Sequence, residues 1–379
     1  MNGFTLKKLV LGRQAVWLYA VLAVLFVGSL FAVHHNESLY DRPIGLIVKT
    51  HDAGREAVTD EHGNRDTLVT QQLVAEVRNG EHKGEWIALK NIYSHSGVYD
   101  QQYEVGNRVF LTIGKDRTAD GLLTGQVIDL KRDGYVVLIA WLFVLTLLAI
   151  GRRKGMLALV SFAANVLILT VALELYTDHF PKGLLIIAGV CAVLFTVVSL
   201  LLVSGFNEKT YAAIIATLIA TAISLAIAAA VIWLMDGKGL RYEEMQFLTR
   251  PYRTVFFAGL FIGSLGAIMD TAITISSSLF ALQHRNPDIP MHELKMSGLD
   301  IGKDIMGTIT SILFFAYLTG SLPMLLLYLR NASSLSFALP MNLSLEVARA
   351  LTGGIGIVLS IPITLYTVLY FIRRRRAAL

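Results

Sequence analysis

FFAGLFIGSLGAIMDTAITISSSLFAL, residues 256–282, is the stretch whose reading decides the fold. It holds one ionisable residue, Asp270, inside a block running from about 253 to 282, longer than the ~20 residues that carry a helix across a hydrocarbon core. A block of that length is expected to be tilted, kinked or interrupted. Asp270 falls near its middle, where a carboxylate costs roughly 2.5–3.5 kcal/mol on insertion scales and normally faces a bundle interior or a watery cavity.

Comparable apolar blocks flank it on both sides, at roughly 135–151, 155–174, 183–203, 211–235, 306–329 and 347–372, and one more lies near the start at about 15–33. The chain as a whole is 54% hydrophobic and 16% charged, against roughly a quarter charged in soluble proteins. The expected fold class is an α-helical polytopic membrane protein of about eight transmembrane helices. Its partners then include the lipid bilayer.

The net charge of +5 does not point to nucleic acid, because the basic residues sit beside apolar blocks: Lys7, Lys8 and Arg13, then Arg152, Arg153 and Lys154, then Arg373, Arg374, Arg375 and Arg376. These read as topology signals that hold both termini in the cytoplasm and place residues 36–134 outside. The first block has no evident cleavage pattern before His34 and His35, so residues 1–35 read as a cytoplasmic start and a retained anchor. The segment 236–252 runs against the charge rule, carrying Lys238, Arg241 and Arg250 with Asp236, Glu243 and Glu244. Residues 240–248 within it mix charge with Leu, Met and Phe, as a short interfacial helix does.

Residues 36–134 turn polar, with strand-like runs at 45–50, 70–77, 85–92, 103–113 and 122–130 and turn signals at Asn79-Gly80 and Asp133-Gly134. This pattern predicts an N-terminal extracytoplasmic small all-β domain, an OB or SH3-like barrel, with a sandwich as the alternative. Residues 135–379 then form the remaining helix bundle. Cys191, the only cysteine, lies in an apolar block, so no disulfide framework, thiolate metal site or cofactor is expected. Walker, His-Glu-x-x-His and Gly-x-Ser-x-Gly motifs are missing, and an enzyme is not expected. Asn331-Ala-Ser333 and Asn342-Leu-Ser344 match a glycosylation pattern short enough to arise by chance.

Helical spacing puts Thr274, Ser277 and Ser278 on the face of Asp270. The stripe reads either as an ion or proton site or as an interhelical hydrogen-bond anchor. Gly259, Gly263 and Gly266 before it permit close helix approach or a local break. In the next block Asp300, Asp304, Thr308 and Ser311 share a face, which either lines the same hydrophilic path or caps a helix start. Gly353, Gly354 and Gly356 precede Ser360, Pro362, Thr364 and Thr367, where Pro362 is expected to kink the last span. Asn165 and Glu174 are weaker polar candidates in the third span.

Four linked motifs, Gly266-Ala-Ile-Met-Asp270-Thr-Ala, Ser277-Ser278-Leu279, Ser297-Gly298-x-x-Ile301-Gly302-x-Asp304-Ile-Met-Gly307-Thr308 and Ile361-Pro362-Ile363-Thr364, resemble the bacterial YibE/YibF family of polytopic membrane proteins. The resemblance implies a bacterial plasma-membrane location and supplies no substrate. Met269-Asp270-Thr271 is also similar to the Asn-Asp-Thr element of SecD and SecF, an analogy of fold that does not establish function. Two functions are compatible with these residues. One is an ion-coupled secondary transporter of an unidentified small solute or ion; the other is a scaffold whose outer domain binds an envelope protein or a second copy of the chain.

Overall fold

The computed structural model describes residues 13–61, 63–97, 100–180, 183–245 and 251–377. Lys7, Lys8, Arg250 and residues 246–248 of the expected interfacial helix lie outside them. The chain divides into two compact units, Met1–Ala149 and Ile150–Leu379.

The first unit begins with α1, Arg13–His34, and continues into five strands: β1 Ile44–Thr59, β2 Arg65–Val77, β3 Trp86–Ser94, β4 Arg108–Arg117 and β5 Leu123–Leu130. They close a barrel in the order β1-β2-β3-β5-β4, with β3 and β5 parallel and the other neighbours antiparallel. Alternate residues point inward, and Ile47, Leu73, Ala75, Ile87, Leu89, Val109, Leu111 and Leu123 fill the core. Closure needs backbones in close approach at Gly125, where a Cβ would collide with the Thr112 carbonyl. Gln71, fully buried, is satisfied: its amide donates to Thr50 Oγ1 (2.7 Å) and the Tyr103 carbonyl (2.8 Å), and its carbonyl accepts from Asn91 and Tyr103.

Two local expectations are corrected. β1 and β2 extend well past residues 50 and 70 into an arm paired from Asp52↔Gln71 out to Thr59↔Arg65. Most of β1 beyond Thr50 is exposed on both faces, so no hydrophobic alternation marks it in the sequence. Asp133-Gly134 is no free-standing turn; it opens α2, Asp133–Asp178.

Asn79 does more than its turn with Gly80 (φ +79°) requires. Its side chain accepts from the Ile44 amide at 2.6 Å and donates to the carbonyls of Glu37, Tyr40 and Arg42. One buried amide thus fixes the chain entering β1. Asp133 closes the other end, accepting from Lys131 Nζ (2.6 Å), Asn36 and Tyr40.

α2 is helical throughout except at Arg152 (φ 47°, ψ −124°), which breaks it within the Arg152-Arg153-Lys154 stretch. The second unit continues with α3 Leu184–Ser204, α4 Glu208–Leu234, a single turn Tyr242–Glu244, α5 Tyr252–Gly263, α6 Leu265–Arg285, α7 Met291–Arg330 and α8 Leu335–Ala377. Among the described residues, six helices are long and apolar enough to cross a membrane, counting α5 and α6 together as one. Where an interfacial helix was expected over 240–248, the described residues hold only that single turn.

The reversal between α3 and α4 follows from its residues. Gly205 takes a left-handed φ of +79° that ends α3, and the Asn207 side chain caps α4 by accepting from the Thr210 amide. α8 is the central element, packing against α4, α6 and α7. Its basic end has specific partners: Arg376 donates to the carbonyls of Pro287 and Ile289, and Arg375 lies 3.7 Å from Glu208.

Candidate functional site

The long block containing Asp270 is interrupted. α5 ends at Gly263, Ser264 intervenes, and α6 starts at Leu265. Ser264 is buried and its hydroxyl donates to the Leu260 carbonyl at 3.0 Å. Asp270 follows about a turn and a half later.

α6 buries Leu265, Ile268, Ala272, Ile275 and Leu279, a face set by helical spacing. Asp270 and Gly266 lie on the opposite, exposed side, with Thr274, Ser277 and Ser278 half-buried. Among the described residues no hydrogen bond or ion pair reaches the Asp270 carboxylate.

The α7 stripe is exposed along its whole length: Asp300, Asp304, Thr308 and Ser311 all face away from the packed side. Asp300 lies 3.6 Å from Lys303, and Ser311 returns its proton to the Gly307 carbonyl. Because α7 starts at Met291, Asp300 and Asp304 sit well inside the helix and do not cap it. The packed side instead uses Gly298, against Leu279 and Leu365, and Gly302, against Ile361. The two stripes therefore open outward from the single chain and do not line an enclosed interior.

The glycines ahead of Asp270 divide. A Cβ on Gly263 would collide with the Tyr317 phenol of α7, and one on Gly259 would reach the Arg349 guanidinium of α8 at 4.0 Å, whereas Gly266 faces open space. On α8, Gly353 receives Leu313, Gly356 receives Ile268, and Gly354 touches only the Thr310 methyl at 3.5 Å. α8 runs as one helix through Pro340 and Pro362. Asn165 donates to Ser199 between helices (2.7 Å) while its carbonyl oxygen is buried without a partner among the described residues, and Glu174 is exposed.

The structure adds two polar groups, of which the first extends Ser360 and Thr364, already singled out in the sequence. The first is a seam of hydroxyls in the core: Thr217, Thr221 and Ser224 on α4, with Thr352, Ser360 and Thr364 on α8, all buried. Ser224 donates to the Thr352 carbonyl at 2.6 Å, while Thr217, Thr221 and Thr364 find no partner. The second is Glu346 and Arg349, hydrogen-bonded one turn apart on α8 and each about one-fifth exposed, at 20% and 21%. An ionisable pair adjoining an apolar block was the available signal. Starting that block at residue 347 cut the pair in two.

The chain belongs to the YibE/F family. Residues 139–374 match the family model described as YibE/F-like protein, and residues 38–130 match the YibE/F family N-terminal domain. No curated protein and no solved structure matches it. Family and apolar helices together make it a membrane protein.

Proposed function

We propose that this YibE/F-family protein is a non-enzymatic, ion-coupled permease of the bacterial inner membrane, in which Asp270 is the ion-handling carboxylate. One observation carries the reading. Asp270 lies deep in an apolar block without an ionic partner, just beyond a helix interruption at Ser264. Transporters build midplane ion sites where membrane helices are interrupted, and here the interruption is one residue, Ser264, six positions before the carboxylate.

The topology proposed with it has about eight spans, counting α1 and each side of the Arg152 break separately, with both termini cytoplasmic. The β-domain is then extracytoplasmic. Its strand order β1-β2-β3-β5-β4 supports the OB-type barrel over a sandwich.

A second reading is a scaffold or accessory protein that holds an envelope partner or a second copy. The outward orientation of Asp270 and of the α7 stripe favours it, since a carboxylate on an outer face can be covered by another protein. Asp270→Asn keeps shape and hydrogen-bonding capacity but removes the charge, and it separates the two when ion flux is read alongside co-purification of a partner or second copy, which only the scaffold reading expects it to weaken. A stably inserted variant that loses activity in a growth or flux assay sensitive to gene deletion supports the permease, with a weaker defect expected for Asp304→Asn. Wild-type behaviour of Asp270→Asn makes the carboxylate an anchor and gives the scaffold precedence.

A further inference from the structure

Arg349 is the centre of a charged cluster that the Asp270 reading does not use. About 36 Å of α8 separates it from Arg373 at the basic end. Its guanidinium donates to Glu346, lies 5.4 Å from the centre of the Phe256 ring and fills the space beside Gly259. The Tyr317 phenol, seated against Gly263, lies in the field of the same two groups.

The single turn Tyr242–Glu244 packs over this cluster. Tyr242 is buried among Leu225, Phe256 and Leu345, and the Arg241 amide donates to Ser344 Oγ of α8 at 3.0 Å. These contacts bring Glu244 into the field of Glu346 and Arg349, with its Oε2 buried and unpartnered. The other charged groups of the neighbourhood are engaged or face outward. Arg253 of α5 lies 3.5 Å from Asp236 and beside Tyr252, while Arg241 and Glu243 are exposed.

Arg349 is committed to Glu346, and Glu244 feels both charges without a hydrogen bond or ion pair to the guanidinium among the described residues. The negative charge left over falls on Glu244, where a buried oxygen has no donor among the described residues to stabilise it. A proton removes that charge and converts Glu244 from an acceptor into a donor. We propose that Glu244, Glu346 and Arg349 form a proton-binding site, and that the turn Tyr242–Glu244 docks on α8 when the site is protonated and releases when it is not.

Burial first, and the Glu346 charge second, push Glu244 up to about 7, against the opposing pull of Arg349. The sign follows from that direction. Docking stabilises fully below the ordinary carboxylate value of 4.5, weakens as pH rises through about 7, and is lost above it. The site stands whether or not Asp270 couples an ion.

The test is infrared titration of the full chain in lipid nanodiscs, following the protonated carboxyl stretch, alongside hydrogen–deuterium exchange of residues 236–245 corrected for intrinsic rates. Wild type should show a band that titrates near pH 7 and protection of the segment at pH 5 that is lost at pH 8. Glu244→Gln should lose the band and stay protected at both pH values, while Asp270→Asn should retain both behaviours. Glu346→Gln should lower the midpoint and Arg349→Gln should raise it. Protection of the wild-type segment that is the same at pH 5 and pH 8 overturns the proposal without recourse to any variant, as does a Glu244→Gln band or pH response like wild type.

Discussion

Lys131 Nζ lies 2.6 Å from Asp133 Oδ2, and the same ammonium donates to the Val33 carbonyl at 2.9 Å. The lysine side chain is 2% exposed and the aspartate 24%, so this is a nearly dry pair at the point where β5 gives way to α2. Removing one partner of a fully buried pair costs about 3–5 kcal/mol, most of it from stranding the other charge. Residual exposure of Asp133 reduces the figure here. Residues 36–134 expressed alone should give a β-type circular dichroism spectrum and melt cooperatively, and Lys131→Met should lower the melting temperature of the full chain, in which Val33 is present. A disordered spectrum for the wild-type fragment would show that the strands need the rest of the chain.

Asn79 is expected to matter more than its place in a surface turn suggests. Its substitution by Ala strands the Ile44 amide and three carbonyls that its side chain now serves. Losing buried hydrogen bonds of this kind costs about 2–3 kcal/mol. For a unit of this size the fragment's melting point should fall by roughly 10–20 °C. Asn79→Asp keeps the acceptor for Ile44 but sets a second carboxylate oxygen against the three carbonyls, and should cost at least as much as Ala.

Gly263 and Tyr317 should behave as a coupled pair. Gly263→Ala drives a methyl into the phenol and should destabilise the purified protein by about 1–3 kcal/mol, the usual cost of overfilling a packed site. Tyr317→Phe removes the clashing oxygen, so the double variant should recover part of the loss. Additive effects in the double-mutant cycle would mean that the helices adjust around the methyl without involving the ring.

For topology, single cysteines in a Cys191→Ala background answer directly. A thiol at Gly63, in the β1–β2 turn, should react with an impermeant maleimide in intact cells, and one at Ala377 should react only after permeabilisation. Labelling of both sites in intact cells would break the proposed arrangement.

What could be read in advance depended on whether the signal was local. β3 was legible because Ile87 and Leu89 alternate with half-exposed neighbours, and the exposed β1–β2 arm was not, because backbone pairing and polar side-chain contacts such as Ser96 to Asp66 hold it and leave no apolar alternation along β1. The parallel pairing of β3 with β5 joins Leu89 to Gly125 across 36 positions, 125 minus 89, and leaves no local mark. Asp270 shows the same division in the bundle. Its depth and its stripe-mates follow from helical spacing, but which side of α6 is covered depends on where α4 and α8 sit. The Glu346–Arg349 pair was hidden for the opposite reason, since an apolar block begun at residue 347 leaves Glu346 outside and Arg349 inside without its partner.

α8 holds 43 residues, so at about 1.5 Å per residue it is a rod of roughly 64 Å, twice the ~30 Å thickness of a hydrocarbon core. Glu346 and Arg349 lie about 10–15 Å from its midpoint on the N-terminal side, whereas Arg375 beside Glu208 and Arg376 beside the α6–α7 connection lie at its C-terminal tip. A rod of that length converts rotation into displacement. Pivoting by about 5° around its middle sweeps each tip through roughly 3 Å in opposite directions, about the length of a hydrogen bond. The same pivot moves Glu346 and Arg349 by only about 1 Å, so the Arg375–Glu208 contact is the more sensitive of the two to any tilt of α8.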